Sequence, residues 1–255
     1  MNQFANTVEK IRLERRNRGK SATSLNVLED FAQTMFNLVA SADGLKLMDS
    51  SAKGTIFYDD AQRKPFDDYS QDEFKLLGEL GRIYISEVRE SMAFDDVLSH
   101  LIDEHLGQDF GQFMTPSDAS KLAAEINLAI EPPNADSSIY EPACGTGGLV
   151  LAQLKSNYER NGKNGIARTE VVMNDIDPFM SKIAAVQVFI QSALHSLPLH
   201  TIIVQCSNAL TEPKAVSEED TIFMWAKYEE GTTAKSVIMS KREKSFYKIM
   251  SRFRH

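Results

Sequence analysis

The sequence has little of what would indicate a disulfide-bonded, secreted or membrane-spanning protein. Its 255 residues include only two cysteines, Cys144 and Cys206, which form no CxxC pair, so we expect reduced thiols and a cytoplasmic location. No run approaches the roughly 18 apolar residues that span a bilayer. The N-terminal stretch also lacks the apolar centre of a secretory signal. The sequence therefore predicts no membrane partner.

Acidic residues outnumber basic ones, 36 to 28, but the basic residues are concentrated near both ends. The net charge of −8 argues against a surface covered by phosphate contacts. Residues 235–255 nevertheless carry seven Lys and Arg against one Glu, and residues 9–20 carry six against two. Basic ends on an acidic body are compatible with contact to nucleic acid. Solvated termini are the alternative, and the charge pattern alone leaves both open.

The first third of the chain has the apolar spacing of helices. The stretches "SLNVLEDFAQTMFNLVASADG" and "SQDEFKLLGELGRIYISEVRE" each repeat apolar residues on one face. Ser70 and Glu73 predict a capping box at the start of the second. A third helix is predicted at about residues 95–106, and residues 50–69 are predicted to form a loop or hairpin. These elements predict a helical N-terminal domain over residues 1–107.

Beyond residue 107, short apolar strands alternate with helices. This alternation predicts an α/β fold of Rossmann-like type, with a mostly parallel sheet covered by helices on both faces. We expect this domain over residues 108–234 and a basic tail over residues 235–255. The predicted strands lie at 138–140, 170–173, 201–205 and 221–226, and the predicted helices at 116–130, from 148 onward and at 178–195.

A glycine-rich turn follows the first of these strands, in the stretch "EPACGTGG" at residues 141–148. Glycines here let the backbone approach a ligand that any Cβ would exclude. The dinucleotide fingerprint would need a glycine in place of Val150, and a phosphate-binding loop would need Gly-Lys followed by Ser or Thr. Neither fits. A turn used only for packing is the alternative for this stretch taken alone.

The next two predicted strands also end in polar residues. Asp175 ends the second strand, where an acid can accept hydrogen bonds from the two hydroxyls of a ribose. Asn208 follows the third strand, where its amide can meet an adenine edge. Asp177 precedes Pro178 and is predicted to cap the following helix. These three strand ends together predict a nucleoside site at one edge of the sheet.

Four ordered strings resemble those of a known family: "GQFMTP" at 111–116, "EPACGTGGL" at 141–149, "NDIDP" at 174–178 and "SNAL" at 207–210. They resemble the S-adenosylmethionine-dependent DNA adenine methyltransferases, and most closely the modification subunits of type I restriction-modification systems. The resemblance implies S-adenosylmethionine as cofactor and DNA as partner. It also implies transfer of a methyl group to the exocyclic amino group of adenine.

The resemblance further implies a cofactor site assembled from all four strings. Thr115 would hold the methionine carboxylate, with Phe113 nearby. Asp175 would accept the ribose hydroxyls, and Asn208 would address the adenine amino group. The family usually has Asp at this last position; Asn keeps an acceptor oxygen, which predicts weaker binding. The complete implied set is Phe113, Thr115, Glu141, Ala143, Gly145, Gly147, Asp175, Ile176 and Asn208, and no metal ligand is predicted.

The family's catalytic string, Asn or Asp followed by Pro-Pro and Tyr or Phe, does not occur in the chain. In the family this string accepts hydrogen bonds from the amino group of a flipped adenine and stacks on the base. Register from the third strand predicts Trp225-Ala226-Lys227-Tyr228 in its place, and only Tyr228 matches. Because tryptophan donates but cannot accept a hydrogen bond, no catalytic residue is predicted.

Two functions therefore stay open from the sequence. The chain is either a DNA adenine methyltransferase or a catalytically inactive, methyltransferase-like binding or regulatory subunit that acts through a partner protein. The second is favoured by the missing tetrapeptide and by a sheet with too few predicted strands. The edge of such a sheet favours pairing with a companion subunit or with a second copy. An unrelated nucleotide-binding α/β enzyme is a third alternative.

Overall fold

The structure combines helices with one six-stranded sheet in a mixed α/β architecture. It is a computed structural model that describes residues 3–20, 23–48, 53–63, 69–99, 101, 117–130, 137–211, 216–228 and 237–240. The predicted fold class, α/β with a mostly parallel sheet, is confirmed. None of the helices in these ranges is long and apolar enough to cross a membrane.

The first third of the chain is mainly helical, as predicted. Its helices are α1 (Gln3–Asn17), α2 (Ser24–Val39), α3 (Ala42–Leu47) and α4 (Gln71–Glu90). The predicted capping box at the start of α4 is confirmed. The Glu73 N–H donates to Ser70 Oγ at 3.1 Å, and the Ser70 N–H donates to Glu73 Oε2 at 2.9 Å. Two otherwise unpaired helix-terminal donors are thereby satisfied.

A buried ionic cluster joins three of these helices. The Glu73 side chain is 1% exposed and accepts hydrogen bonds from Arg15 Nε at 2.9 Å and from Arg18. Arg15 also pairs with Asp30 of α2. Burial by itself would raise the pKa of Glu73, but the Ser70 N–H and the Arg15 guanidinium outweigh it and lower that pKa. Glu73, charged at neutral pH, therefore ties α4 to α1, and Arg15 extends the link to α2 through Asp30.

The second part of the chain alternates strands with helices, as predicted. Every predicted strand is present, and the boundaries differ from their predictions by no more than two residues. Half of the predicted helix at 95–106 falls outside the described residues, and residues 97–99 and 101 are helical. The elements are α5 (Ser117–Ile130), β2 (Ser138–Glu141), α6 (Gly148–Ala167), β3 (Glu170–Asp175), α7 (Pro178–Leu194), β4 (Thr201–Cys206), β5 (Thr221–Lys227) and β6 (Val237–Ser240), and β1 (Gly54–Tyr58) precedes them in the first third.

The strands lie in the order β2-β3-β4-β5-β1-β6. β2, β3 and β4 are parallel and consecutive in the chain, with α6 and α7 as their crossovers. β5 is antiparallel to both of its neighbours, β4 and β1, and β1 pairs with β6 in parallel. Among the described strands, β5 is therefore the one that points the opposite way. The segment predicted as the last parallel strand has the right position in the chain but the wrong direction.

β1 comes from the segment predicted to form a loop or hairpin, and that prediction is wrong. It pairs with β5 from Gly54↔Lys227 to Tyr58↔Phe223. These partners lie far along the chain, so no local turn signal could reveal them. The division between domains at residue 107 stays a prediction, although β1 precedes that point and lies in the same sheet as the later strands. β6 likewise lies within the range predicted as a basic tail.

α7 is the helix around which the core is built. All of its residues from Met180 to Ala193 are buried, because it contacts β3 and β4 on one side and α2 on another. The Phe189 ring meets Phe223 and Trp225 of β5 with centroid distances of 5.6 and 6.2 Å. A helix that is apolar on most sides is typical of an interior position. α7 therefore fixes the parallel strands relative to the helices of the first third.

Candidate functional site

The glycine turn between β2 and α6 has two glycines in left-handed conformations with different surroundings. Gly147 has φ 93°, and a Cβ built on it would lie 3.5 Å from Ala184 of α7. Gly145 has φ 53°, but a Cβ built on it would meet no atom of the described residues within 4 Å. Gly147 therefore lets the turn pack on α7, while Gly145 faces open space. A ligand can approach the backbone at Gly145.

Asp175 connects this turn to the end of β3. Its Oδ2 accepts a hydrogen bond from the Gly145 N–H at 2.8 Å, and its Oδ1 accepts one from the Asp177 N–H at 2.9 Å. A carboxylate offers about four acceptor positions, so each oxygen can still accept a further bond. Asp177 in turn accepts from the Phe179 N–H at 2.8 Å, which confirms its predicted role as the cap of α7.

Asn174 joins all three strand ends, and sequence reasoning assigned it no role. Its side-chain nitrogen donates to the carbonyls of Pro142 and Ser207, at 3.1 and 3.0 Å. Its side-chain oxygen accepts from the Ser207 N–H at 3.1 Å, and its own carbonyl accepts from the Cys144 N–H at 2.8 Å. The residue is 2% exposed. A polar residue beside the end of a buried strand was the signal in the sequence that could have identified it.

The third strand end carries Asn208 and lies beside the residues that end and follow β3. The Ser207 N–H donates to the Asp175 carbonyl at 3.2 Å, which places Asn208 next to the end of β3. The Asn208 side-chain oxygen accepts from the Leu210 N–H at 3.1 Å. Ile176 is 67% exposed, an unusual state for an isoleucine at a folded strand end. Its apolar surface is available to a flat ligand.

Seven of the nine predicted cofactor residues lie in the part of the chain that the structure describes. Glu141 and Ala143 are at the turn, where Glu141 Oε1 accepts from the Ala143 N–H at 3.2 Å. Gly145, Gly147, Asp175, Ile176 and Asn208 complete the seven at the same edge of the sheet. Phe113 and Thr115 lie outside the described residues.

The turn has an acidic environment. Burial raises the pKa of the Cys144 thiol, and the nearby carboxylates of Asp175 and Glu141 raise it further. The thiol is therefore protonated at neutral pH and is a poor nucleophile. Negative charge around an open backbone suits a ligand that carries positive charge. Within the described ranges no three His, Cys, Asp or Glu side chains form a group able to hold a metal ion.

Trp225 does not lie at this site. It is 0% exposed, and its Nε1 donates to the Leu199 carbonyl at 3.3 Å. Leu199 precedes β4, so the indole lies near the start of that strand. The candidate site lies at the other end of the same strand, beyond Cys206.

The carboxyl end of β5 therefore does not replace the catalytic tetrapeptide, and that prediction is wrong. In an antiparallel pair the end of one strand lies beside the start of the other. The Lys227 N–H accordingly donates to the His200 carbonyl, and the Tyr228 hydroxyl accepts from Thr55 Oγ1 at 3.1 Å. Trp225 would reach the site only if β5 were parallel to β4, and an apolar run does not specify strand direction.

Comparisons with known proteins indicate a family. The sequence model of the family described as N-6 DNA Methylase matches residues 91–241, which is more than half of the chain. No curated protein sequence matches it. Residues 91–241 include the glycine turn and all three strand ends of the candidate site.

Solved structures of methyltransferases are similar to the chain at low sequence identity. The type I restriction-modification system methyltransferase subunit from Streptococcus thermophilus is 18% identical, with a TM-score of 0.46, over 85% of this chain and 41% of that one. A chain solved as a class I S-adenosylmethionine-dependent methyltransferase from Listeria monocytogenes is 16% identical, with a TM-score of 0.36, over 65% of this chain and 50% of that one. The chain thus spans half or less of the length of these two structures.

Proposed function

The chain belongs to the N-6 DNA methylase family, and on that premise we propose that it binds S-adenosylmethionine at the glycine turn and acts on adenine in DNA. The observation that supports this most strongly is the Asp175 carboxylate beside the open backbone of Gly145. A carboxylate next to an accessible turn can accept hydrogen bonds from a ribose and can attract the positively charged methionine part of the cofactor. The phosphates of a dinucleotide would be repelled there.

Each described strand end has a part in this proposal. The free acceptor positions of Asp175 receive the ribose hydroxyls, and the exposed side of Ile176 packs on the adenine. The Asn208 amide meets the edge of the same ring. Glu141 lies along the methionine end, where its negative charge favours the ammonium and sulfonium groups. Phe113 and Thr115 complete the proposed site by resemblance alone.

The catalytic half of the proposal concerns the exocyclic amino group of adenine. When bound, S-adenosylmethionine supplies an electrophilic methyl group on its sulfonium. Catalysis in such a site consists largely of holding the two reacting groups at short distance. The chain contains no Asn-Pro-Pro or Asp-Pro-Pro string, so the acceptor that orients the amino group is the missing part.

A second candidate function follows from the edge of the sheet. β2, which leads into the glycine turn, pairs only with β3 among the described strands, and its Tyr140 is 51% exposed. An edge strand offers unpaired backbone donors and acceptors to another chain. This favours a binding or regulatory subunit, catalytically inactive by itself, that acts with a companion protein or a second copy.

Calorimetry with S-adenosylmethionine tests the cofactor proposal. We expect Asp175→Ala to weaken binding by about 100-fold, since two hydrogen bonds to a charged group are lost. Asp177→Asn is the matched control, because asparagine also caps a helix and should leave affinity within about threefold. Absence of heat from the wild-type protein at high micromolar ligand would exclude the proposal.

Transfer of a labelled methyl group to DNA separates the two candidate functions. Incorporation by the purified chain alone supports the methyltransferase and excludes the inactive subunit. Cofactor binding without incorporation, with activity recovered when a companion protein is added, supports the second candidate. A monomer that methylates DNA unaided would leave the β2 edge without a functional role.

A further inference from the structure

Residues 92–99, here called the 92–99 segment, are held against α7 by two buried glutamines. Gln191 accepts a hydrogen bond from the Phe94 N–H at 2.9 Å and donates to the Asp95 carbonyl at 2.7 Å. Phe94 has φ 64°, a left-handed conformation that a bulky residue adopts only when its surroundings hold it there. The segment therefore has one imposed conformation.

Gln187, one helical turn earlier, links the same segment to the glycine turn. Its side-chain oxygen accepts from the Leu98 N–H at 3.1 Å. Its side-chain nitrogen donates to Asp96 Oδ1 and to the Thr146 carbonyl, both at 2.9 Å. Thr146 lies between the two left-handed glycines. One amide, 0% exposed, therefore contacts α7, the segment and the turn at the same time.

Two further contacts bring the segment against the turn. The hydroxyls of Ser99 and Thr146 are 2.7 Å apart and share a hydrogen bond, and both residues are buried. A Cβ built on Gly148 would lie only 2.6 Å from Asp96 Oδ2. The Asp96 carboxylate therefore approaches the start of α6 more closely than any residue other than glycine would allow there.

We propose that Gln187 is a positioning residue for the cofactor turn, joining it to the 92–99 segment so that S-adenosylmethionine affinity depends on this amide. The inference rests on the proposed function for its ligand. Loss of the two donated bonds removes a buried partner from the Thr146 carbonyl and from Asp96 Oδ1, which still accepts from the Ser99 N–H at 3.2 Å. The turn then relaxes, and a displacement of about 1 Å at a binding site is enough to weaken it strongly.

The 92–99 segment also precedes a second predicted part of the cofactor site in the sequence. The chain continues from the 92–99 segment toward residues 111–116, the string predicted to hold the methionine carboxylate. Gln187 thus connects the turn to the part of the chain that leads into the second predicted portion of the site.

Gln191 provides the matched control. It has the same residue type, the same helix, the same 0% exposure and the same segment as partner. Among the described residues its side chain hydrogen-bonds to Phe94 and Asp95 and not to the turn. A general loss of packing would affect both variants alike, whereas positioning of the turn distinguishes them.

The experiment compares Gln187→Met with Gln191→Met, since methionine keeps a similar volume without the amide. We expect both variants to lose thermal stability. Only Gln187→Met should weaken S-adenosylmethionine binding, by about 10-fold or more in calorimetry, with Gln191→Met within about threefold. Equal losses of affinity in the two variants would overturn the proposal.

Asp96 variants provide a rescue arm. Asp96→Asn keeps an acceptor for the Gln187 nitrogen and should bind within about threefold of wild type, while Asp96→Ala should resemble Gln187→Met. Ser99→Ala removes the smaller hydroxyl link and is the milder variant if Gln187→Met does not fold. Its expected loss of affinity is about threefold. An Asn variant as weak as the Ala variant would contradict the positioning role.

Amide hydrogen exchange without ligand separates this inference from the proposed function. The Gly147 N–H donates to the Cys144 carbonyl at 2.8 Å within the turn. Gln187→Met should speed its exchange, and Gln191→Met should not. If the wild-type protein binds no S-adenosylmethionine, the proposed function fails while this measurement still decides whether Gln187 positions the turn. Equal exchange in both variants would overturn the inference even if the cofactor binds.

Discussion

The two halves of the sheet differ in origin and in what their strand ends carry. β2, β3 and β4 are consecutive, parallel and joined by short crossovers, and their carboxyl ends bring Gly145, Asp175 and Asn208 to one edge. β1 comes from the first third of the chain and β5 and β6 from its last part, and the carboxyl end of β5 points away from that site. The first half supplies the candidate chemistry, and the second half supplies core.

This difference shows when a strand end can be interpreted from sequence. Where parallel strands follow one another with a helix between them, their ends must meet. β5 follows β4 without such a crossover helix among the described residues. The rule therefore does not apply to β5, and Trp225 lies in the core rather than at the site.

Replacement of Trp225 should cause the largest loss of stability. It should leave cofactor binding by the half of the sheet formed by β2, β3 and β4 unchanged. We expect Trp225→Ala to lower the free energy of unfolding by about 5 kcal/mol, because a fully buried indole leaves a cavity against Phe189. Urea unfolding followed by circular dichroism measures this loss. Under conditions where the variant is folded, its S-adenosylmethionine affinity should stay within about threefold of wild type.

Trp225→Phe is the control for this comparison. Phenylalanine keeps a ring against Phe189 but loses the Nε1 bond to the Leu199 carbonyl, so we expect a loss of about 2 kcal/mol. A folded Trp225 variant with strongly weakened cofactor binding would contradict the assignment of the site to one half of the sheet and of core packing to the other.

Acid should act on the ionic cluster of α1, α2 and α4, through Glu73. The pKa of Glu73 is lowered in the fold from an ordinary value of 4.5. The stability that its carboxylate contributes is therefore fully present above that value and is lost as pH falls below it. We expect Glu73→Gln to cost about 3 kcal/mol at pH 7. The difference from wild type should shrink as pH falls toward 3.

Urea unfolding between pH 7 and pH 3 tests this expectation. Glu87→Gln is the control, since Glu87 is an exposed glutamate on the same helix and should follow the wild-type curve. This cluster is connected to the second half of the sheet by α2. That helix joins the cluster through Asp30 and packs on β5 through Phe36 and Phe223, with ring centroids 6.2 Å apart. A Glu73 difference that grows as pH falls would show that the carboxylate is not the stabilising form.

The smallest expected effect concerns Asn208, which follows β4 in the half of the sheet that carries the candidate site. Asn208→Asp restores the residue that the resembled family usually has at this position. We expect S-adenosylmethionine affinity to rise by about threefold to tenfold, since a carboxylate accepts a hydrogen bond from an amino group more strongly than an amide does. Calorimetry at constant ionic strength measures the change. Asn208→Ser, which keeps a polar side chain without the charge, should show no gain.

Much of the fold could be predicted because its signals are local. The capping box at Ser70 and the cap at Asp177 depend on residues two or three positions away. The alternation that gave β2, β3 and β4 depends on short apolar runs. The pairing of β1 with β5 depends on shape and burial across most of the chain, and no short pattern records it. The same distinction explains the error at Trp225.

The glycines and acids of the candidate site could be predicted from the sequence. The buried hydrogen bonds that hold its parts together could not. Gly145 and Asp175 are recognisable from their places after strands. Asn174 and Gln187 act through backbone carbonyls of residues brought near only by folding. In the sequence Gln187 is one of several polar residues in a mainly apolar helix, and nothing local distinguishes it from Gln191. Buried amides in such helices are therefore the residues to examine once a structure exists.

The pairing of β1 with β5 also determines the order in which the chain can fold. Thr55 and Tyr228, which share a hydrogen bond, are 173 residues apart, so the middle of the sheet cannot close until residue 228 has been synthesised. β2, β3 and β4 need only their own crossovers, whose closure costs less conformational entropy. We therefore expect β2, β3 and β4 to assemble first during synthesis. The pairing of β1 with β5 should be the late and slow step.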